Sequence, residues 1–307
     1  MRDQAENLRK AIVKLDEIRA YRSGVGPLHG RYGGPARVIT ITSGKGGVGK
    51  TSVSVNLALA LCDMNHKPLI IDADVGLANV EVLFGILPKY NLMDALIHEK
   101  PIREIICEGP KGVKLISGGS EADVFEKIAE SHAAPLMSEL AEIDGEFDVI
   151  IIDTGAGVSE TVLGMAVAAD DAVIVTTPEP TAVTDAYALI KAIVLRDRNT
   201  TVRLIINKAE NEREAAEIMS KLTRVTGKFL DLNLQKLGYI LNDPLVVRSV
   251  KQQQPFMLSS PQSQTSKTIR EIARRLMEGA SFAPIVKSRG LSGFLSGVVK
   301  FARMQPK

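Results

Sequence analysis

Eight consecutive residues, Gly44-Lys45-Gly46-Gly47-Val48-Gly49-Lys50-Thr51, bring glycines, two lysines and a hydroxyl into one short stretch. Glycines at this spacing let successive backbone N–H groups turn inward around an anion, and the closing Lys-Thr supplies a cation and a metal-binding oxygen. The implied chemistry is the binding of a nucleoside triphosphate. Gly46, Gly47, Val48 and Gly49 cradle the phosphates, Lys50 reaches the outer ones, Thr51 ligates Mg2+, and Ser52 adds a contact to the α-phosphate. Lys45 is surplus to that task, because it falls too early in the loop to duplicate Lys50 on the same nucleotide. It suits a neighbour's nucleotide instead. Where two copies meet face to face, a cation crossing from each offsets the repulsion of two polyphosphates and stabilises charge developing in transfer, as an arginine supplied in trans does. A solvated loop lysine is the other reading.

These residues need a strand-to-helix turn, and the flanks provide one. Arg37 to Thr42 is an apolar, β-branched run that reads as a buried strand, and Thr51 to Cys62 reads as a helix. Two further apolar runs, Pro68 to Ile71 and Val149 to Ile152, end in Asp72-Ala73-Asp74 and Asp153. Carboxylates at the carboxyl ends of such strands lie where open α/β sheets bind ligands, although each can instead cap the element that follows. Strand-like and helix-like segments alternate from Val38 to about Glu278, with strands at Val113 to Ile116, Ala172 to Thr176 and Leu237 to Leu241, and helices at Ala182 to Arg196 and Thr265 to Met277. The expected fold is α/β, a mostly parallel sheet flanked by helices on both faces.

Composition sets limits. The 307 residues are 45% hydrophobic, which excludes wholesale disorder, and a formal net charge of +2 does not mark a nucleic-acid binder. The two cysteines, Cys62 in a core helix and Cys107 in a loop, lack the spacing of a disulfide or metal framework, so a reducing compartment is expected. His29, His66, His98 and His132 are scattered and read as surface or loop residues, which implies no zinc site. No apolar signal core opens the chain and no run has the length of a membrane span, so a protein made and kept inside the cell is expected.

The loop Lys45-Gly46-Gly47-Val48-Gly49-Lys50-Thr51 resembles the deviant phosphate loop of the MinD/ParA ATPases, whose signature lysine acts across an ATP-sandwiched homodimer. The resemblance implies a MinD-type P-loop NTPase fold, slow ATP hydrolysis, and ATP and Mg2+ as cofactors. Under it, Asp72 to Asn79 corresponds to switch I: Asp74 positions the attacking water, Asp72 supports the Mg2+ environment and Asn79 senses the dimer. Asp153 and the Thr154-Gly155 pair correspond to the metal-binding strand end and switch II, Asp153 holding Mg2+ through a water. Thr154-Gly155 departs from the Ser-Pro of the cell-division members. Asn207, whose amide both donates and accepts, becomes the adenine contact, and Asp243 marks the segment whose backbone wraps the base.

The ends carry separate signals. Ala5, Leu8, Ile12, Leu15 and Ile18 follow helical spacing ahead of a Gly/Pro-rich stretch, giving an amphipathic helix at 1–22 and a linker at 23–36 before an ATPase domain at 37–278. Such a helix packs on its own domain or docks in a partner's groove. Asp3, Gln4, Ala5, Leu8 and Arg9 resemble the Asp-Gln-Ala-x-x-Leu-Arg element of the flagellar-number regulators of this family, the FlhG, FleN or YlxH group. That resemblance implies stimulation of the GTPase FlhF and contacts to flagellar C-ring proteins. At 279–307 a connector precedes a helix in which Leu291, Phe294, Leu295, Val298, Val299 and Ala302 form one apolar stripe, with Phe301 counted among the membrane-facing residues and Lys300 among the surrounding cations. That pattern suits the inner face of an anionic membrane, and the alternative is a terminal helix packed on its own domain. A partition ATPase that binds DNA through surface cations is the competing reading, disfavoured by that tail.

Overall fold

The computed structural model describes residues 35–74, 79–118, 134–278 and 290–303. The chain runs β1 (Arg37–Ser43), α1 (Lys50–Asp63), β2 (Pro68–Ala73), α2 (Val80–Phe84), α3 (Leu92–Ile97), α4 (Ile102–Ile105), β3 (Ile106–Glu108) and β4 (Lys114–Ile116). It continues with α5 (Ala134–Ile143), β5 (Val149–Ala156), α6 (Glu160–Ala168), β6 (Asp171–Thr176), α7 (Pro180–Arg196) and β7 (Thr201–Ala209). Then come α8 (Glu212–Leu230), β8 (Gln235–Leu241), α9 (Pro244–Lys251), α10 (Phe256–Ser259), α11 (Gln264–Glu278) and α12 (Gly290–Arg303).

The strands form one sheet in the order β3-β4-β2-β5-β1-β6-β7-β8, parallel throughout except that edge strand β3 runs antiparallel to β4. Parallel strands must be covered on both faces, and alternation along each strand divides the side chains between them. In β5, Val149 and Ile151 point toward α1 and α11, while Ile150 and Ile152 point toward α5 and α12. Helix α1 is apolar nearly all round because it lies between the sheet and α11. The register sets Asp153 level with Ile41 of β1 and with Asp72 of β2, so the three strand ends open beside the glycine loop.

The structure corrects several expectations. Cys107 lies in β3 rather than a loop, since a three-residue strand is too short to leave a periodic signal. His66 lies in the loop between α1 and β2, as expected, but is buried there, its imidazole 4.0 Å from Asp148. The larger correction concerns α12. Its stripe does not face outward: Leu291, Phe294, Leu295, Val298 and Val299 are at most 8% exposed and complete the core made by Leu140, Ile143, Phe147, Met165 and Ala168. The fit is specific. A Cβ on Gly297 would stand 2.9 Å from the Ala168 Cβ, and one on Gly164 would stand 3.0 Å from the Phe301 ring. The buried Asp144 carboxylate accepts the Leu291 N–H at 3.0 Å and so caps the helix from outside it. Gly290, at φ +64°, is required there, because a Cβ would fall 2.0 Å from the other Asp144 oxygen. Arg196 pairs with Glu160 at 2.7 Å and lies 5.6 Å from the Phe301 ring centre, with Lys300 left exposed. Among the described residues no helix is long and apolar enough to cross a membrane.

Candidate functional site

The glycine loop joins β1 to α1 in the middle of the sheet. Gly47 and Gly49 have φ of +75° and +95°, which ordinary side chains resist, and Gly49 caps α1, so the helix dipole points at the loop. Lys50 is buried at the first position of α1. One turn later the Ser54 hydroxyl donates to Asp153 Oδ1 at 2.7 Å and leaves Asp153 Oδ2, fully buried, without a hydrogen-bond partner. A buried carboxylate oxygen without a partner, beside the Thr51 hydroxyl and a phosphate cradle, fits a hydrated Mg2+. Among the described residues no group of three or more His, Cys, Asp or Glu is arranged to hold a metal alone. Magnesium bound to nucleotide needs only one or two protein oxygens.

Asp72 is differently employed. Its carboxylate accepts three backbone N–H groups, from Asp74 at 3.1 Å, Asn79 at 3.0 Å and Val80 at 3.1 Å. It therefore ties Asp74 to Asn79 and to the start of α2 through backbone N–H groups. Asp74 is half-buried. Its Oδ2 accepts from Asn79 Nδ2 at 3.4 Å, and Gly155 makes room for it, since a Cβ there would stand 3.2 Å from Oδ1. Residues 75–78, between them, lie outside the described residues.

Burial raises all three acids. Asp153 is pushed up to about 6, with Ser54, Thr51 and Lys50 opposing the rise, and Asp72 to about 7, with Asp153 adding to it. Asp74 is raised by burial against the pull of Lys50 and Asn79. An unfolded carboxyl titrates near ~4, so between about pH 4 and 7 the folded nucleotide-free chain holds protons that the unfolded chain has released. Stability from this pair is thus greatest in mild acid and falls as pH rises toward about 7. The Asp72→Asn variant should flatten that fall, measured as the change in thermal midpoint between roughly pH 5 and pH 8. An identical slope in the variant would contradict the assignment.

Lys45 does not reach into its own loop. Its Nζ donates to Glu179 Oε2 at 2.7 Å and to Thr181 Oγ1 at 3.0 Å, and it holds the Glu179 carboxyl below its usual range. Both partners lie at the start of α7, and neither carries a signal in the sequence. Asn207 lies at the end of β7 beside Gly49, as expected, but one of its N–H groups donates to Val48 O at 2.7 Å. Its Oδ1 accepts from Lys208 N at 2.9 Å, so one donor and one acceptor site of the amide are taken by protein and one of each remains. The Asp243 side chain caps α9 at Leu245 N and accepts from Thr265, and its carbonyl accepts from Val246 N at 3.0 Å. Cys62 is pushed up to about 11 by burial and the Asp63 charge, which suits a core thiol rather than a metal ligand. Asp3, Gln4, Ala5, Leu8 and Arg9 lie outside the described residues.

A mostly parallel sheet with a glycine loop at its middle strand, an inner lysine, a buried aspartate with one unpartnered oxygen and a second, outward lysine is the layout of a P-loop ATPase. A family model for ParA, described as NUBPL iron-transfer P-loop NTPase, matches residues 35–277. The antiactivator FleN of Pseudomonas aeruginosa is 38% identical over 242 residues, 79% of this chain and 86% of FleN. The flagellum site-determining protein YlxH of Helicobacter pylori is 35% identical over 270 residues, 87% of this chain and 91% of YlxH. MinD in the MinC:MinD cell division complex of Aquifex aeolicus superposes with a TM-score of 0.65 at 28% identity, covering 79% of this chain and 96% of that one. The chain belongs to the MinD/ParA family of P-loop ATPases, within the branch that holds FleN and YlxH.

Proposed function

We propose that this chain is an ATP-switched regulator of flagellar number or placement, which dimerises face to face through Lys45 and carries its α12 helix to the inner membrane surface. The observation that carries the reading is the docking of α12 on α6, because α6 starts shortly after Asp153 and switch II on the same stretch of chain. A movement of that stretch on ATP binding would disturb the trough that holds the helix.

Each residue has a task. Lys50 and the loop N–H groups bind the phosphates, Thr51 and Asp153 hold Mg2+, and Asp74 orients the attacking water. Bound Mg2+ would neutralise phosphate charge as the terminal bond breaks. Lys45 exchanges Glu179 and Thr181 for the partner's nucleotide. Asp72 keeps Asp74 and Asn79 in register for that encounter.

Magnitudes explain why release must be driven. Burying five large apolar side chains is worth roughly 8–15 kcal/mol. A single short anchor of association constant ~10⁴ M⁻¹ gains only about 5–6 kcal/mol from a bilayer. The same side chains are buried in either place, so a lone subunit keeps the intramolecular contact, which carries no association cost, over a single marginal anchor. Two tails joined in one dimer gain avidity of roughly 10²-fold or more, which shifts the balance once ATP has loosened the trough. The expected N-terminal helix would engage the GTPase FlhF, and the dimer would meet C-ring proteins. Sedimentation velocity with Mg-ATP, using Asp74→Ala to slow hydrolysis, should give a dimer that ADP does not support; a monomer in both states would overturn the reading. The DNA-binding alternative draws on the outward Lys221, Arg224 and Lys228 of α8, and salt-sensitive, ATP-dependent DNA retention would favour it.

A further inference from the structure

The phosphate loop is held from behind by two neighbouring side chains at the end of β7. Asn207 Nδ2 donates to Val48 O at 2.7 Å, and Lys208 Nζ donates to Gly47 O at 2.8 Å. These are the carbonyls of consecutive peptide units, neither of them cis. In a trans peptide the C=O and N–H point in opposite directions. Tying the Gly47 and Val48 carbonyls outward therefore turns the N–H groups of Val48 and Gly49 to the opposite side, into the loop.

The arrangement is built rather than incidental. Lys208 takes a left-handed backbone, φ +57°, which a lysine adopts only under constraint, at a point where the β7–β8 register slips between Ile206 and Ala209. Separately, the Lys208 N–H donates to Asn207 Oδ1 at 2.9 Å, which fixes the amide so that Nδ2 faces the loop. Gly49 admits the amide: a Cβ there would stand 2.4 Å from Nδ2.

We propose that Asn207 and Lys208 form a two-point clamp on the outer side of the phosphate loop, and that Lys208 is a positioning residue that preorganises the Val48 and Gly49 N–H groups for phosphate. The inference rests on the reading of this loop as the nucleotide site. It assigns Lys208 no contact with the base, so its loss should weaken any ligand that presents a polyphosphate.

The test compares the full chain with Lys208→Gly, which keeps the left-handed backbone and its N–H but removes the Nζ, and with Lys208→Arg. Affinity for a fluorescent ATP is measured with Mg2+, and inorganic tripolyphosphate is titrated as a competitor. The expected result is a weakening of about tenfold for both ligands in Lys208→Gly, substantial recovery in Lys208→Arg, and no change in the thermal midpoint of the nucleotide-free protein. A loss confined to ATP would make Lys208 a base or ribose contact and overturn the clamp. So would wild-type affinity in Lys208→Gly, or tripolyphosphate failing to displace the nucleotide from the wild type. Nucleotide binding that survives Lys50→Ala would instead remove the site reading on which the clamp depends.

Discussion

Replacing Lys45 with alanine is expected to lower ATP turnover by on the order of 10²–10³-fold while leaving ATP affinity within about threefold of the wild type. The split follows from geometry. In the proposed function phosphate binding in cis falls to Lys50 and the loop N–H groups, whereas Lys45 points out to Glu179 and Thr181. A cation so placed contributes little to ground-state binding in its own subunit and becomes useful when a second subunit brings its nucleotide across. The exposed Lys45–Glu179 pair adds little to folding, so the variant should keep its thermal midpoint. Steady-state hydrolysis at saturating ATP, alongside fluorescent-nucleotide binding, measures both quantities. Equal losses of affinity and turnover would make Lys45 an ordinary phosphate ligand, and wild-type turnover would make it a surface lysine.

Truncating Phe294 to alanine is expected to destabilise the nucleotide-free protein by about 3–5 kcal/mol, a fall in melting temperature on the order of 10 °C. Phe294 is 1% exposed, among the largest fully buried side chains of the described residues, and it packs where α12 crosses α5 and α6. The cost joins lost transfer energy to a cavity that the sheet behind it cannot collapse to fill. A helix whose apolar face waits for lipid would show no such effect. Thermal unfolding of the wild type and variant, without nucleotide or vesicles, therefore tests the docked state directly, and an unchanged midpoint would place α12 off the core.

What was legible in the chain is what depends on neighbours in sequence. The strand, glycine loop and helix from Arg37 to Cys62 declare themselves through an apolar run, a fixed glycine spacing and a helical tail, and the strands ending at Asp72 and Asp153 do the same. The stripe of α12 was equally legible, but periodicity reports an apolar face without reporting what covers it. The answer lay in Gly164, Ala168 and Asp144, more than a hundred residues earlier, whose fit to Phe301, Gly297 and Leu291 has no local signature. The same holds for Lys45, whose partner Glu179 lies 134 residues away, and for Lys208, whose partner on the loop lies 161 residues away. Asp72 shows a subtler limit: its place at a strand end was readable, whereas its bonds to the backbone N–H groups of Asp74, Asn79 and Val80 carry no signal in residue type.

The central claim, that ATP moves α12 from the core to a membrane, is tested most directly by cosedimentation with anionic vesicles in ATP, ADP and no nucleotide. The full chain is compared with one ending at Arg289. The account predicts pelleting with ATP alone, abolished by the truncation. Pelleting that ignores nucleotide would contradict it by making the attachment constitutive, and no pelleting in any state would contradict it by leaving α12 a permanent part of the core.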